Sequence, residues 1–308
     1  MVRPRSEGET AVETGPLIDP TNHPAFTDRA YLLDISRDRV PTLETIGWLI
    51  DILADLRFTE LHLYIEHVYT YPDHEVIWQG ASPLSASDLS LIRRRAADAG
   101  LSLVTNLNCF GHMERWLAHP AYRQRAECPD GYVSLLDGSI APPSCLAPTE
   151  ENAAFAVELV RRLHEVIGGD RVMIGGDEPF ELGMGRSRRK VDRIGRDAVY
   201  REHLDRIIAP LTNDGLEVLI WGDQFRRDPE AIRWIPDGVT VVAWNYEAPG
   251  RSWRGWLPPE FEELLGLPVD AELGFESHVR LLADGDVPFR VAAGTSTWGT
   301  LIGRNENA

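Results

Sequence analysis

The feature of this sequence that most constrains its fold is a regular alternation of short apolar runs with segments of helical periodicity. The apolar runs predict seven strands, at 31–35, 60–65, 101–107, 171–174, 216–221, 239–244 and 289–293. Apolar residues at helical spacing predict helices between them, at 42–56, 85–99, 150–167 and 196–214. This alternation, with strands of the buried type, indicates a parallel sheet that is covered on both faces.

The alternation predicts an α/β protein of the TIM-type (β/α)8 barrel class. A dinucleotide-binding sheet is less well supported, because no G-x-G-x-x-G motif follows the first predicted strand. A length of 308 residues is ordinary for one barrel. Little sequence follows the seventh predicted strand, so we expect an incomplete barrel with about seven strands. The predicted organisation is a flexible N-terminal arm over 1–25 and a barrel catalytic domain over 26–308 that lacks its last strand.

Charge and cysteine content restrict the partners and the compartment of the protein. With 31 Lys and Arg against 48 Asp and Glu, the net charge of −17 would repel nucleic acid, so no nucleic-acid partner is expected. The sequence holds no apolar run long enough to span a bilayer, so no membrane partner is expected. Its 3 cysteines argue against a disulfide framework and favour a reducing, cytoplasmic location. The oligomeric state stays open.

Polar and aromatic residues recur at the ends of the predicted strands, where barrels of this class place their active sites. In chain order these residues are Asp34 and Arg37, Glu66 and His67, Asn108 and His112, Asp177 and Glu178, Trp221 and Asp223, Trp244 and Tyr246, and Trp298. Carboxylates supply acid–base chemistry, and tryptophan faces stack on the C–H faces of sugar rings. The mixture predicts a carbohydrate site, because a phosphate site would need glycine-rich loops and cations.

The adjacent acids Asp177 and Glu178 are the sharpest single feature of the sequence. Neighbouring side chains on a regular strand point to opposite faces, but the preceding Gly175-Gly176 allows the backbone to bend. We therefore expect both carboxylates to face one cavity. Like charges resist joint ionisation, so one acid can keep its proton as a general acid while the other stays ionised.

With these residues in order, the segment from roughly 30 to 300 resembles the catalytic domain of glycoside hydrolase family 20, the β-N-acetylhexosaminidases. The motifs that carry the resemblance are Leu33-Asp34-Ile35-Ser36-Arg37, Phe110-Gly111-His112, Gly175-Gly176-Asp177-Glu178 and Trp221-Gly222-Asp223. They are similar to the family's L-D-x-S-R, P-G-H and H-x-G-G-D-E motifs and to its strand-end tryptophans. Met173 stands where the family has His and Phe110 where it has Pro, so a divergent branch is expected.

The resemblance implies a retaining exo-glycosidase that releases terminal N-acetyl-hexosamine from glycans by substrate-assisted hydrolysis. Glu178 would be the general acid and base, and Asp177 would orient the 2-acetamido group. The other substrate-binding residues that the resemblance implies are Arg37, His112, Trp221, Asp223, Trp244, Tyr246 and Trp298. A carbohydrate is then the partner, and neither a metal nor an organic cofactor is required.

Two other functions stay open at this point. A metal-dependent barrel isomerase or hydrolase would use cation ligands of the types found at Glu66, His67, His74, His112, Glu178, Asp223 and His278. The irregular spacing of these histidines argues against it. A non-catalytic sugar-binding barrel is the other alternative, and the retained acid pair argues against it because binding alone needs no proton donor.

Overall fold

The computed structural model of the protein describes residues 26–36, 39–226, 229–245, 258–260 and 275–294. The strands are β1 (Ala30–Asp34), β2 (Glu60–Tyr64), β3 (Ser102–Asn106), β4 (Tyr132–Val133), β5 (Ile140–Ala141), β6 (Arg171–Met173), β7 (Glu217–Trp221), β8 (Val239–Asn245) and β9 (Phe289–Ala293). The helices are α1 (Leu43–Asp55), α2 (Glu75–Trp78), α3 (Ala86–Asp98), α4 (Glu114–Leu117), α5 (Glu150–Ile167), α6 (Arg188–Ile194), α7 (Arg196–Asn213) and α8 (Phe275–Asp284).

Seven parallel strands form one sheet in the order β1-β2-β3-β6-β7-β8-β9, and β4 and β5 form a separate antiparallel hairpin. All seven predicted strands are therefore present, and the four predicted helices correspond to α1, α3, α5 and α7. The N-terminus of α3 is closed by a full capping box, since the Ser85 hydroxyl accepts the Asp88 N–H and the Ser85 N–H donates to the Asp88 carboxylate. The sequence analysis did not predict the single-turn helices α2 and α4, nor α6 and α8.

The sheet curls until side chains of distant strands meet inside it. Arg290 on β9 donates to Glu60 on β2 at 2.7 Å, although four other strands lie between β2 and β9 in the sheet order. Arg171 on β6 pairs with the same carboxylate, and above this ionic layer Met173, Leu219 and Val242 pack together. Over the residues that the structure describes, the sheet has seven parallel strands, and the prediction of an incomplete TIM-type barrel is confirmed.

The two edge strands of the described sheet, β1 and β9, are linked by an ion pair. Arg290 on β9 also donates to Asp28, two residues before β1, at 3.0 Å. Since the same guanidinium contacts Glu60, one cation ties both edges of the sheet to its interior. We call the gap between the edge strands β1 and β9 the seam. These ion pairs bridge it at the end of the barrel opposite to the strand ends that carry the acid pair.

The main apolar core lies between the outer face of the sheet and the surrounding helices. Ile50 of α1, Leu163 of α5, Leu204 of α7 and Ile220 of β7 all belong to it and are fully buried. This packing is the reason why the strands read as continuous apolar runs in the sequence. Across the described ranges, none of the helices has the length and apolar character needed to cross a bilayer. All three cysteines are buried and free.

Candidate active site

The backbone after β6 turns sharply and brings the two adjacent acids together. Gly175 and Gly176 have φ values of +71° and +84°, a region that glycine enters without strain, and Glu178 has a φ of +44°. As a result, Asp177 Oδ2 lies 3.3 Å and Glu178 Oε2 lies 3.4 Å from one atom, His112 Nε2. The two carboxylates, which would diverge on a regular strand, share a single imidazole neighbour.

His112 is positioned by the loop that follows β3. Its φ of +54° is unusual for a residue with a side chain, and Gly111 before it packs directly on the β6 loop. A Cβ atom at Gly111 would lie 2.7 Å from the Asp177 carbonyl oxygen. Burial acts to lower the pKa of His112, but Asp177 and Glu178 outweigh it and raise this pKa well above the ordinary value. The two carboxyl groups therefore favour the protonated form of the His112 imidazole.

Asp223 contacts the backbone of the acid pair. Its side chain is buried, and its Oδ2 accepts the backbone N–H of Glu178 at 3.3 Å and the Gln224 amide at 2.7 Å. Burial, and then the nearby Asp177 charge, raise the pKa of Asp223 to about 6. In this position Asp223 holds the Glu178 backbone, and its predicted contact with substrate stays a prediction.

Asn108 contacts Asp177 directly, although the sequence analysis placed it only among the strand-end polar residues and gave it no role in the site. Its Nδ2 donates to Asp177 Oδ1 at 2.5 Å. Strand alternation could have found it, because Asn106 and Asn108 share one face of the β3 segment and Asn106 lies in the barrel interior beside His62.

Two of the predicted tryptophans lie at the same end of the barrel interior. Trp221, at the end of β7, packs against the layer formed by Met173, Leu219 and Val242. The Arg226 guanidinium lies 4.5 Å from the centre of the Trp244 ring, a cation–π contact, so one face of that ring is covered. Arg37, Tyr246 and Trp298 lie outside the described residues, and their roles remain predictions.

Two buried glutamates connect the loop that carries Glu178 to the long segment between β3 and α5, residues 107–149, which we call the β3–α5 segment. Glu127 in the β3–α5 segment accepts hydrogen bonds from Gly185 N–H, Ser187 N–H and the Ser187 hydroxyl. Glu181 in the β6 loop accepts them from Ser144 N–H, the Ser144 hydroxyl and Cys145 N–H. Each loop thus supplies a carboxylate to the other, and neither can move alone without losing both sets of hydrogen bonds.

Some of the predicted metal ligands also come together. Ligand atoms of Glu66, His112 and Glu114 lie within 4.8 Å of one another, and so do those of His112, Asp177 and Glu178. His74 is elsewhere, in an aromatic cluster where its ring contacts Trp116 and Tyr122. His278 packs against Gly222, since a Cβ there would lie 2.9 Å from its ring.

Comparison with solved structures finds the same architecture in glycoside hydrolase family 20 enzymes. The β-N-acetylhexosaminidase of Streptomyces coelicolor has a TM-score of 0.61 at 19% identity, over 91% of this chain and 52% of that one. The N-acetyl-β-hexosaminidase of Streptomyces plicatus has a TM-score of 0.62 at 18% identity, over 89% and 49%. The β-N-acetylhexosaminidase of Bacteroides fragilis has a TM-score of 0.61 at 15% identity, over 88% and 53%. This chain has the fold of their catalytic domains.

The extent of this similarity is limited in two ways. The chain spans about half the length of those three proteins, and 34% of the chitobiase of Flavobacterium johnsoniae. No protein-family model matches the sequence, and no curated protein matches it either. The likeness therefore establishes the barrel fold alone.

Proposed function

We propose that this protein is a retaining exo-glycosidase that releases terminal N-acetyl-hexosamine from glycans by substrate-assisted hydrolysis. The single observation that carries the proposal is the convergence of Asp177 and Glu178 on His112 Nε2, at 3.3 and 3.4 Å. A site for binding alone would not need two acids in contact with one histidine ring nitrogen. The fold supports the substrate class, since a Streptomyces plicatus β-hexosaminidase variant with this fold was solved with N-acetylglucosamine as product.

The proposed reaction assigns one role to each acid. Glu178 protonates the glycosidic oxygen as the bond to the leaving group breaks, while the substrate's own acetamido oxygen attacks the anomeric carbon. Asp177 accepts the acetamido N–H and stabilises the positive charge that develops on the resulting oxazolinium ring. Glu178 then removes a proton from the water that opens this ring, which returns the sugar with its original anomeric configuration.

The surrounding side chains would bind the sugar. Trp221 and Trp244 lie at the same end of the barrel as the acids and would form apolar walls around the acetamido group. Arg37, Tyr246 and Trp298 are proposed to contact the hydroxyl and acetamido groups, as the family resemblance implies. His112, which contacts both acids, would hold their carboxylates in fixed positions during proton transfer.

A panel of aryl glycosides tests the substrate class. Matched pairs with a 2-acetamido or a 2-hydroxyl group should differ sharply, because only the acetamido member brings its own nucleophile. Turnover of acetamido substrates with retention of configuration, observed by NMR of the first product formed, would support the proposal. Equal turnover of both members of a pair, or inversion, would contradict it.

Two isosteric variants test the roles proposed for Glu178 and Asp177. Glu178→Gln should lower kcat on substrates with poor leaving groups by roughly 10²–10⁴-fold with KM nearly unchanged, since general acid catalysis typically contributes that much. Asp177→Asn should impair acetamido substrates selectively. An unchanged rate for Glu178→Gln would remove Glu178 from the role of general acid.

A metal-dependent barrel hydrolase or isomerase is the second candidate, because His112 belongs to two groups of possible cation ligands. Such a site would place three protein ligands around a cation and leave a position for water. Assay after exhaustive chelation, followed by re-addition of Zn²⁺, Mn²⁺ or Mg²⁺, separates the two candidates. Full activity in chelator favours the glycosidase proposed above, and activity restored only by a cation favours the metal enzyme.

A further inference from the structure

The first residue of α7, Arg196, contacts two of the loops at the carboxyl ends of the strands. Its Nη2 donates to the carbonyl oxygen of Pro179, the residue directly after Glu178, at 2.9 Å. Its Nη1 donates to Gln224 Oε1, in the loop after β7, at 3.0 Å. One guanidinium therefore connects the loop that carries the acid pair to the loop that follows β7.

The contact with Gln224 continues to the backbone of Glu178. A guanidinium can only donate, so the Gln224 side-chain oxygen must face Arg196 and its NH₂ group must face Asp223. That NH₂ group donates to Asp223 Oδ2 at 2.7 Å, and the same oxygen accepts the backbone N–H of Glu178 at 3.3 Å. These contacts close a ring, which we call the Arg196 ring. It holds the Glu178 N–H on one side and the Pro179 carbonyl on the other.

The backbone conformation of Glu178 is one that needs such support. Its φ of +44° lies in the left-handed region, which is unfavourable for a residue with a side chain. Strained backbone of this kind persists only where the surrounding structure holds it in place. If the ring were opened, the backbone would relax toward an ordinary conformation, and the Glu178 carboxyl group would leave its position 3.4 Å from His112 Nε2.

We propose that Arg196 is the positioning residue for Glu178, and that it acts through the backbone on both sides of this residue rather than on the carboxyl group. The assignment rests on the proposed function, in which Glu178 protonates the leaving-group oxygen. A lysine could fill the role only in part, because one ammonium group does not reproduce two planar N–H donors that point to two different loops.

The leaving group of the substrate separates a misplaced general acid from a smaller folded fraction. The quantity to measure is kcat/KM on phenyl and dinitrophenyl N-acetyl-glucosaminides, since dinitrophenolate departs with little help from an acid. Arg196→Met should lower kcat/KM by roughly 10²-fold on the phenyl glycoside, the scale of a catalytic group displaced by about 1 Å, and only a few-fold on the dinitrophenyl glycoside. Arg196→Lys should lie between Arg196→Met and the wild type. Partial unfolding would lower both rates equally.

Arg206→Met is the matched control, because Arg206 is a partly buried arginine of the same helix that contacts Glu202 within α7. It should keep wild-type rates on both substrates. Gln224→Met opens the ring at a second point, so it should show the pattern of Arg196→Met and add little to it in the double variant. Equal losses on both substrates in Arg196→Met, or its pattern in Arg206→Met, would overturn the inference.

Hydrogen exchange of backbone amides, followed by mass spectrometry, tests the ring without turnover. The segment that contains Glu178 should exchange roughly 3–10-fold faster in Arg196→Met than in the wild type, as expected for the loss of one hydrogen bond. Arg206→Met should exchange like the wild type. If Arg196→Met does not fold, as its melting curve would show, Arg196→Lys and Gln224→Met carry the same comparison.

The two readouts keep this test apart from that of the proposed function. A wild type that hydrolyses no acetamido glycoside would reject the hydrolase, and exchange at Glu178 would still decide the role of Arg196. Unchanged exchange in the Arg196 variants would overturn that role whether or not the protein is a glycosidase.

Discussion

At the scale of single residues, the site depends on close backbone contact between the loops after β3 and β6. Gly111 is one point of close approach, because a Cβ atom there would lie 2.7 Å from the carbonyl oxygen of Asp177 and 3.2 Å from that of Glu178. Neither of these atoms is the end of a flexible side chain, so an added methyl group would have to displace the backbone that carries both acids.

We expect Gly111→Ala to reduce kcat strongly in a protein that stays folded. A shift of about 1 Å in a catalytic group can lower the rate by roughly 10²-fold, whereas overpacking by one methyl group costs about 1–3 kcal/mol of unfolding free energy. Kinetics on an acetamido aryl glycoside and urea unfolding measure the two effects. Gly47→Ala on α1 is the control, since its Cβ would meet only the flexible Arg95 side chain. Loss of activity in proportion to loss of stability would show that Gly111 has a merely structural role.

At the scale of elements, Glu127 and Glu181 connect the loop after β6 to the β3–α5 segment. Glu181 is fully buried. Burial raises its pKa, although hydrogen bonds from Ser144 and Cys145 act in the opposite direction. A buried carboxylate that accepts three hydrogen bonds is hard to replace, since its removal leaves three donors without a partner.

Glu181→Ala should therefore lower the unfolding free energy by about 3 kcal/mol or more, given about 1–3 kcal/mol for each buried donor left unpaired. Glu181→Gln keeps one acceptor oxygen, so its unfolding free energy should fall by less. Chemical denaturation measures both, with Glu151→Ala as the control because the Glu151 side chain is 82% exposed. We expect that control to stay within about 0.5 kcal/mol of the wild type. Equal stability of Glu181→Ala and the control would contradict the role of Glu181 in fastening the two loops.

At the scale of the whole molecule, the described sheet is held across its seam by the ion pairs of Arg290. Burial acts to raise the pKa of Glu60, but hydrogen bonds from His62 and Arg290 lower it to about 2. An acid whose pKa is lower in the folded state adds stability above its unfolded pKa of about 4.5. That stability is lost as pH falls from about 4.5 toward 2, so acid should open the barrel from this layer.

Arg290→Met should lower the unfolding free energy at pH 7 by about 3 kcal/mol, the lower end of the range for a buried ion pair that loses one partner, because Glu60 keeps Arg171. The variant should also lose less stability than the wild type between pH 4.5 and 2. Arg280→Met is the control, since Arg280 is 78% exposed and pairs with Glu276 on the surface of α8. A stability deficit that is equal for Arg290→Met and Arg280→Met would refute the assigned role of the seam ion pair.

The sequence by itself determined the order and type of the main elements, because apolar periodicity reports which face of each strand or helix is buried. It also indicated that Asp177 and Glu178 belong together, since a double glycine before two acids permits one specific bend. It could not predict α2, α4 or the β4–β5 hairpin, which are too short for periodicity to register.

Only the tertiary structure decided which polar residues meet. Asn108 lies 69 positions before Asp177, and Arg290 lies 230 positions after Glu60, yet each pair is in hydrogen-bond contact. The structure also placed His74 in an aromatic cluster and His278 against Gly222, and it brought the Asp223 carboxylate to the backbone N–H of Glu178. The physical reason is that these contacts depend on how far the sheet curls and where each loop returns, and both are set by packing summed over the whole chain rather than by any local pattern.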